Sequence, residues 1–337
     1  MDAPIRVGVI GVGTMGSHHA GNLGGSQVSG AVLKAVMDLD GDLRAAVAHR
    51  HGVDLQFDQT RAIIGNPDVD ALLVAAPDGL HAELAIECLE AGKPVFLEKP
   101  LATTVPDAER VVELETGIGH RMIQVGFMRE YDRAHVEVKT EVDTGGHGRR
   151  LLFRNVHRNA HFPNARTIED IVTNSMVHDI HSARWMMEDE IVEVYGQAVP
   201  DACPDPGTAR LCVIQVRFRN GALGLLEFNT KAGYGYEVDV EISCQDGVVA
   251  SHTVGTPVVR SRETLGQAIA PEYTGRFGAA YRDELVAWAA SLEAEKPTGP
   301  SAWDGYMAMV VVEACIESVR TGQPVSIPEY EKPSLYC

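Results

Sequence analysis

Short aliphatic runs separated by stretches of helical spacing fill the first third of the chain. The pattern predicts strands over residues 5–10, 31–37, 71–75, 95–97 and 122–125, and the apolar positions of 82–90 recur at helical period. Such alternation of strand and helix implies a parallel, doubly wound sheet. After Asp132 one helical segment runs to about Thr144 and ends at Gly145-Gly146, and the pattern then changes. Residues 151–157, 191–199, 211–218, 224–229, 238–243 and 248–251 read as strands with few helices between them, as in a mixed or antiparallel sheet. Helices over 281–293 and 304–321 follow, the second closed by Gly322 and Pro324. A sheet without helices on both faces hides its open face against another subunit, so a homo-oligomer, dimer or tetramer, is expected through the C-terminal sheet.

The turn after the first strand reads Gly11-Val12-Gly13-Thr14-Met15-Gly16, and Asp38 ends the second strand 22 positions beyond the last glycine. Strand, glycine turn, helix, strand and acid in this order form the grip for a dinucleotide. Gly11 permits the tight turn, Gly13 lets the backbone approach a pyrophosphate, and Gly16 lets the helix pack closely on the strand. The helix N-terminus offers its N–H groups to the phosphates. Asp38 suits the adenosine ribose diol and repels a 2′-phosphate, and no arginine follows until Arg44, so the expected cofactor is NAD rather than NADP. The fold class is therefore α/β: a Rossmann dinucleotide-binding domain over 1–127, then a substrate-binding and oligomerisation α+β domain over 128–337 built on a large, open mixed or antiparallel sheet.

The 337 residues are enough for two cores. A formal net charge of -18 argues against nucleic acid and anionic membranes as partners, and favours a cationic small molecule if it favours anything. Six cysteines (Cys88, Cys203, Cys212, Cys244, Cys315, Cys337) show no C-x-x-C spacing, which suits a reducing cytoplasm. Met1 leads almost directly into the first strand and no apolar run reaches membrane-spanning length, so neither a signal peptide nor a membrane partner is expected.

Ligands of open parallel sheets bind beyond the carboxyl ends of the strands. Besides the glycine turn, three segments end there: residues 76–81, with Pro77 and His81; Glu98-Lys99-Pro100; and residues 124–129, with Met128 and Arg129. A lysine beside a nicotinamide can hydrogen-bond the ribose and a substrate hydroxyl, and its charge favours the alkoxide-like species that precedes hydride loss. A second cluster is Asn174-Ser175-Met176-Val177-His178-Asp179-Ile180-His181. Read as an α-helix, positions 174, 178 and 181 share one face, a polar face able to hold a polyol and accept its proton; two hydrogen-bonded structural histidines are the plainer alternative. His157-Arg158-Asn159, with His161 nearby, ends the first strand of the second domain and adds polar groups. These histidines match no zinc spacing and no metal is expected.

Together the glycine motif, Glu98-Lys99-Pro100, residues 124–129, His157-Arg158-Asn159, the helix of His178 and Gly233-Tyr234-Gly235-Tyr236 resemble the glucose-fructose oxidoreductase/inositol dehydrogenase (Gfo/Idh/MocA) family over essentially the whole chain, down to Trp303-Asp304-Gly305-Tyr306. Within it the bacterial inositol 2-dehydrogenases are the most similar branch. The resemblance implies an NAD-dependent dehydrogenase that oxidises a secondary ring hydroxyl of a cyclitol, with Lys99 and His178 as catalytic lysine and base. Gly11, Gly13, Thr14, Met15, Gly16 and Asp38 would hold the cofactor, joined by Pro77, His81, Glu98 and Lys99. Met128, Arg129, His157, Asn159, Ser175 and Tyr236 would line the substrate pocket. That branch carries an aspartate where this chain has Asn174 and another where it has His181. Asn174 is placed with the catalytic and substrate-binding residues, but it brings no charge, which makes His178 the weaker base. An amino-sugar or aminocyclitol dehydrogenase of aminoglycoside type is the alternative substrate reading, and a cofactor-binding sensor without catalysis a more distant one.

Overall fold

The computed structural model describes residues 3–161, 166–201, 207–251, 258–261 and 264–337. Six parallel strands form the first sheet: Ile5–Ile10 (β1), Ala31–Met37 (β2), Leu55–Phe57 (β3), Ala71–Val74 (β4), Val95–Glu98 (β5) and Ile123–Gly126 (β6). Their order is β3-β2-β1-β4-β5-β6. Every residue of β4, β5 and β6 is buried, which explains their unbroken apolar runs: helices cover both faces. The chain crosses from β3 back to β4, which leaves the switch point at which such sheets bind ligands between β1 and β4.

The chain clusters into two compact units, one of residues 1–128, 280–309 and 331–337, the other of 129–279 and 310–330. This differs from the continuous division 1–127 and 128–337 in the last third of the chain. Leu285, Trp288 and Ala289 belong to the same apolar core as Val7, Val9, Val36, Leu73 and Phe96. Trp288 is 2 % exposed, and its burial contributes about 2–3 kcal/mol to the first unit. Local periodicity cannot show which of two cores a helix will join.

The second unit is built on a seven-stranded sheet. Its strands are Arg150–Arg158 (β7), Ile191–Pro200 (β8), Ala209–Phe218 (β9), Leu223–Asn229 (β10), Glu237–Cys244 (β11) and Val248–Ala250 (β12); Val258–Ser261 (β13) and Thr264–Gln267 (β14) form a separate hairpin, and Val325–Ser326 (β15) rejoins the main sheet. The order is β12-β11-β7-β10-β9-β8-β15, antiparallel except for β7 beside β10. Burial alternates along β10 and β11, so one face packs inward while the other, with Leu152, Val156, Leu211, Val213 and Leu225, is only partly covered. Cys88, Cys212, Cys244 and Cys315 are buried free thiols and Cys337 is exposed; Cys203 lies outside the described residues. No helix among the described residues is long and apolar enough to cross a membrane.

Candidate active site

The three motif glycines are required for different reasons. Gly11 has φ +81°, and a Cβ there would lie 2.7 Å from the Ala75 carbonyl oxygen. A Cβ on Gly16 would fall 1.8 Å from the Gly11 carbonyl oxygen, so the helix Thr14–Gly24 can approach its strand only with glycine there. A Cβ on Gly13 would meet nothing within 4 Å. The protein's own packing does not demand that glycine, which leaves the approach of a ligand as its reason. Gly13 is also the N-cap of the helix and brings no side chain of its own to it, and the helix N-terminus carries the partial positive charge that favours an anion.

Asp38 accepts hydrogen bonds from the N–H of Val12 at 2.8 Å and of Asp40 at 2.9 Å, one on each oxygen, and retains lone pairs for a diol. Arg44 donates to the main-chain oxygen of Asp38 at 2.5 Å, so the first arginine after the strand is committed to the turn. A cleft of about 590 Å³ opens here, walled by Leu39, Pro77 and Leu80. Asp38, Asp58, Glu83 and Glu87 outnumber Arg61 in its lining, a charge balance that suits a ribose diol and opposes a 2′-phosphate. These residues fit NAD.

At the neighbouring strand end Lys99 is half-buried, and its main-chain N–H donates to Glu98 Oε2 at 3.2 Å. Glu98 Oε1 lies 2.7 Å from His19 Nε2, so the carboxylate supports the lysine turn from beneath and does not present itself to a ligand. His81 likewise points inward: Nδ1 is 2.7 Å from the Pro100 oxygen and Nε2 2.8 Å from the Ala76 oxygen. Both ring nitrogens tie strand-end turns together, which corrects the expectation that His81 contacts the cofactor. Pro77, by contrast, is exposed on the cleft.

In the second unit Arg129, His157 and Tyr236 are brought into one buried network. Arg129, 1 % exposed, reaches Asp179 Oδ1 at 2.5 Å and Asn155 Oδ1 at 3.3 Å through Nη1. His157 Nδ1 is 3.1 Å from both Arg129 Nη2 and Asp179 Oδ2, and its Nε2 is 3.1 Å from the Tyr236 hydroxyl. Burial pushes the Asp179 carboxyl up, but Arg129 and His157 outweigh it and hold the group below the usual carboxylate range. Burial pushes the Tyr236 phenol up, keeping it a hydroxyl. Asn159 carries a buried side-chain Nδ2 with no hydrogen-bond partner among the described residues. Arg158 turns to the other face, where it meets Glu227 at 2.7 Å and Glu237 at 3.0 Å.

The segment carrying Asn174, Ser175 and His178 is not α-helical throughout. Ile171–Met176 is a π-helix, and Val177–Met187 continues as an α-helix. Because a π turn takes up more residues than an α turn, positions four apart across the junction lie closer to eclipsed than α spacing predicts, and π segments recur at functional sites. His181, where the resemblance implies an aspartate, has Nε2 2.8 Å from Glu130 Oε1. A carboxylate from another element therefore stands behind the histidine.

Asn155, Asp179, Glu130, His19 and Glu284 were not singled out by motif. Glu284 did leave a trace: Tyr281, Glu284, Leu285 and Trp288 fall on one helical face, with a charge inside an apolar stripe. His19, Glu98 and Glu284 bring ligand-type atoms within 4.8 Å of one another, a cluster distinct from the histidines considered for metal in the sequence.

A carboxylate at the end of β2 that suits a ribose diol, with a lysine at the end of β5 in the same sheet, is what a nicotinamide-dependent oxidoreductase acting on an alcohol requires. Residues 5–127 match the family described as "Oxidoreductase family, NAD-binding Rossmann fold", and 169–327 match its "C-terminal alpha/beta domain". The chain belongs to this Gfo/Idh/MocA family and is an NAD-dependent dehydrogenase acting on CH–OH. It is 44% identical to the inositol 2-dehydrogenase of Rubrobacter xylanophilus, the match covering 98% of this chain and 96% of the relative. Identity to inositol 2-dehydrogenase 2 of Saccharopolyspora erythraea is 39%, over 99% of this chain and 98% of that one. The myo-inositol dehydrogenase of Lactobacillus casei, solved with NAD(H) and myo-inositol, superposes with a TM-score of 0.94 at 30% identity, covering 99% of this chain and 100% of its own.

Proposed function

We propose that the protein oxidises a secondary ring hydroxyl of an inositol or closely related cyclitol to the ketone. The observation that carries this reading is the full-length match to the Lactobacillus casei enzyme, which holds NAD(H) and myo-inositol together. Bound NAD supplies the hydride acceptor. Lys99 donates a hydrogen bond to the reacting hydroxyl and favours its alkoxide form, His178 accepts the hydroxyl proton, and the carbon-bound hydrogen leaves with its electron pair. Thr14 and Met15 face the pyrophosphate, while Asn159, Asn174, Ser175 and Tyr236 hold the remaining hydroxyls. Met128 adds an apolar wall. Arg129 and His157, buried in their network, fix Tyr236 and need not touch the ligand. The relatives favour this reading over an aminocyclitol substrate.

The partly covered face of the second sheet supports a homo-oligomer, with sedimentation as its test, and the buried free thiols suit the cytoplasm. The enzymatic test is NADH formation from NAD across a panel of inositols, aldoses and aminocyclitols. Activity confined to inositols is expected; turnover of an amino sugar alone would overturn the substrate assignment. Lys99→Ala and His178→Ala should each lower kcat by on the order of 10²-fold or more. Near-native turnover by either variant would remove that residue from the chemistry.

A further inference from the structure

Beneath the Lys99 turn three titratable side chains meet in the core of the first unit. His19 comes from the helix Thr14–Gly24, Glu98 ends β5, and Glu284 lies in the helix Tyr273–Glu293. Their exposures are 0 %, 4 % and 0 %. Glu98 has partners for its charge: the His19 ring at 2.7 Å and the Lys99 N–H at 3.2 Å. Neither oxygen of Glu284 has a hydrogen-bond partner among the described residues. Two carboxylates this close and this dry cannot both be ionised, and the one without partners is the one that keeps the proton. We propose that Glu284 is a positioning residue for Lys99: it holds a buried proton, and its neutrality lets Glu98 stay charged and fix the backbone of the lysine turn.

The electrostatics agree with this geometry. Burial, and then the nearby Glu98, push the Glu284 carboxyl well above the ordinary range. Burial pushes Glu98 up too, but the His19 contact and the charges of His19, Lys99 and His81 outweigh it and hold that carboxyl low. The rings of Tyr281 and His18 complete the surroundings, Tyr281 lying 6.0 Å from His19 and 5.5 Å from His18 between ring centroids. If Glu284 loses its proton, a second negative charge faces Glu98. Glu98 must then take up a proton or move, and in either case its hold on the Lys99 N–H weakens. Because the consequence is stated for Lys99, the inference rests on the cofactor-contacting role assigned to that lysine above.

Three measurements on the intact protein test it. Infrared spectra at neutral pH should show the C=O stretch of a protonated carboxylic acid that disappears in Glu284→Gln; a wild-type spectrum without that band would overturn the proposal. NAD affinity should then weaken in the wild type by roughly threefold to tenfold between neutral and alkaline pH, about the loss of one hydrogen bond, and should hold steady in Glu284→Gln, which cannot ionise. Identical pH dependence in the two proteins would overturn the positioning role. Lys99→Ala separates the two readings: unchanged NAD affinity in that variant overturns the role of the lysine, whereas the infrared band reports on the proton alone. Stoichiometric zinc or manganese in the purified protein would also overturn the inference, because a metal bound by His19, Glu98 and Glu284 would displace the proton.

Discussion

The glycine turn of the first unit and the buried network of the second both hold groups in fixed places, by opposite means. Gly11, Gly13 and Gly16 lie within six consecutive residues: Gly16 answers to the Gly11 carbonyl, Gly11 to the Ala75 carbonyl of one neighbouring strand end, and Gly13 to no atom of the described residues within 4 Å. Arg129, Asn155, His157, Asp179 and Tyr236 come from the 3-10 helix Met128–Tyr131, β7, the helix Val177–Met187 and the approach to β11, and meet only in the folded unit, where the pairing of β7 with β11 brings Tyr236 to His157. A local device can be altered one residue at a time. A device assembled over long sequence separations fails as a unit.

The largest effect should therefore come from the network. Asp179→Asn leaves the Arg129 charge buried and uncompensated, which should cost about 3–5 kcal/mol of folding stability, read by denaturant unfolding at neutral pH. The pH dependence follows from the direction of the shift. Since the folded carboxyl lies below its ordinary value of 3.8, the stabilisation is fully present above that value and is lost as pH falls through the folded value. The gap between wild type and Asp179→Asn should close in acid; a gap independent of pH would show that the ion pair is not its source.

The glycines should separate from one another. Gly16→Ala forces a backbone clash and should destabilise the first unit by about 3 kcal/mol or more, whereas Gly13→Ala should leave thermal stability within about 1 kcal/mol and weaken NAD binding. Equal destabilisation by both would mean that the space beside Gly13 is not reserved for a ligand. Smaller still, Asp38→Ala should narrow the preference for NAD over NADP by on the order of 10-fold, with kcat/KM for each cofactor as the measurement.

The smallest and most discriminating change is Asn174→Asp. If the missing carboxylate merely weakens the base, activity on myo-inositol should rise and the acid limb of the pH–rate profile should shift. If Asn174 hydrogen-bonds a different ligand, turnover of the true substrate should fall about 10-fold, one hydrogen bond or about 1.4 kcal/mol.

What could be read from the sequence follows the same division. The glycine turn, Asp38 and Lys99 were legible because strand ends announce themselves through unbroken apolar runs and a turn. His157 and Arg129 were legible only as polar groups at strand ends and Tyr236 only through resemblance, while Asp179, the group that joins Arg129 and His157, was hidden beside His178. The π-helix at Ile171–Met176 was not legible, since α and π periods cannot be told apart over six residues. The return of residues 280–309 to the first unit was invisible too, because an apolar stripe does not name its partner.

That return has a consequence for synthesis. The first sheet leaves the ribosome well before Leu285, Trp288 and Ala289, the residues that finish its core. At about 5–20 residues per second the nascent sheet waits roughly 10–30 s with Phe96 and its neighbours uncovered. During that interval the second unit is being made. A chaperone that shields apolar strands should therefore engage the nascent chain after the first sheet emerges and release it once the closing helix has followed.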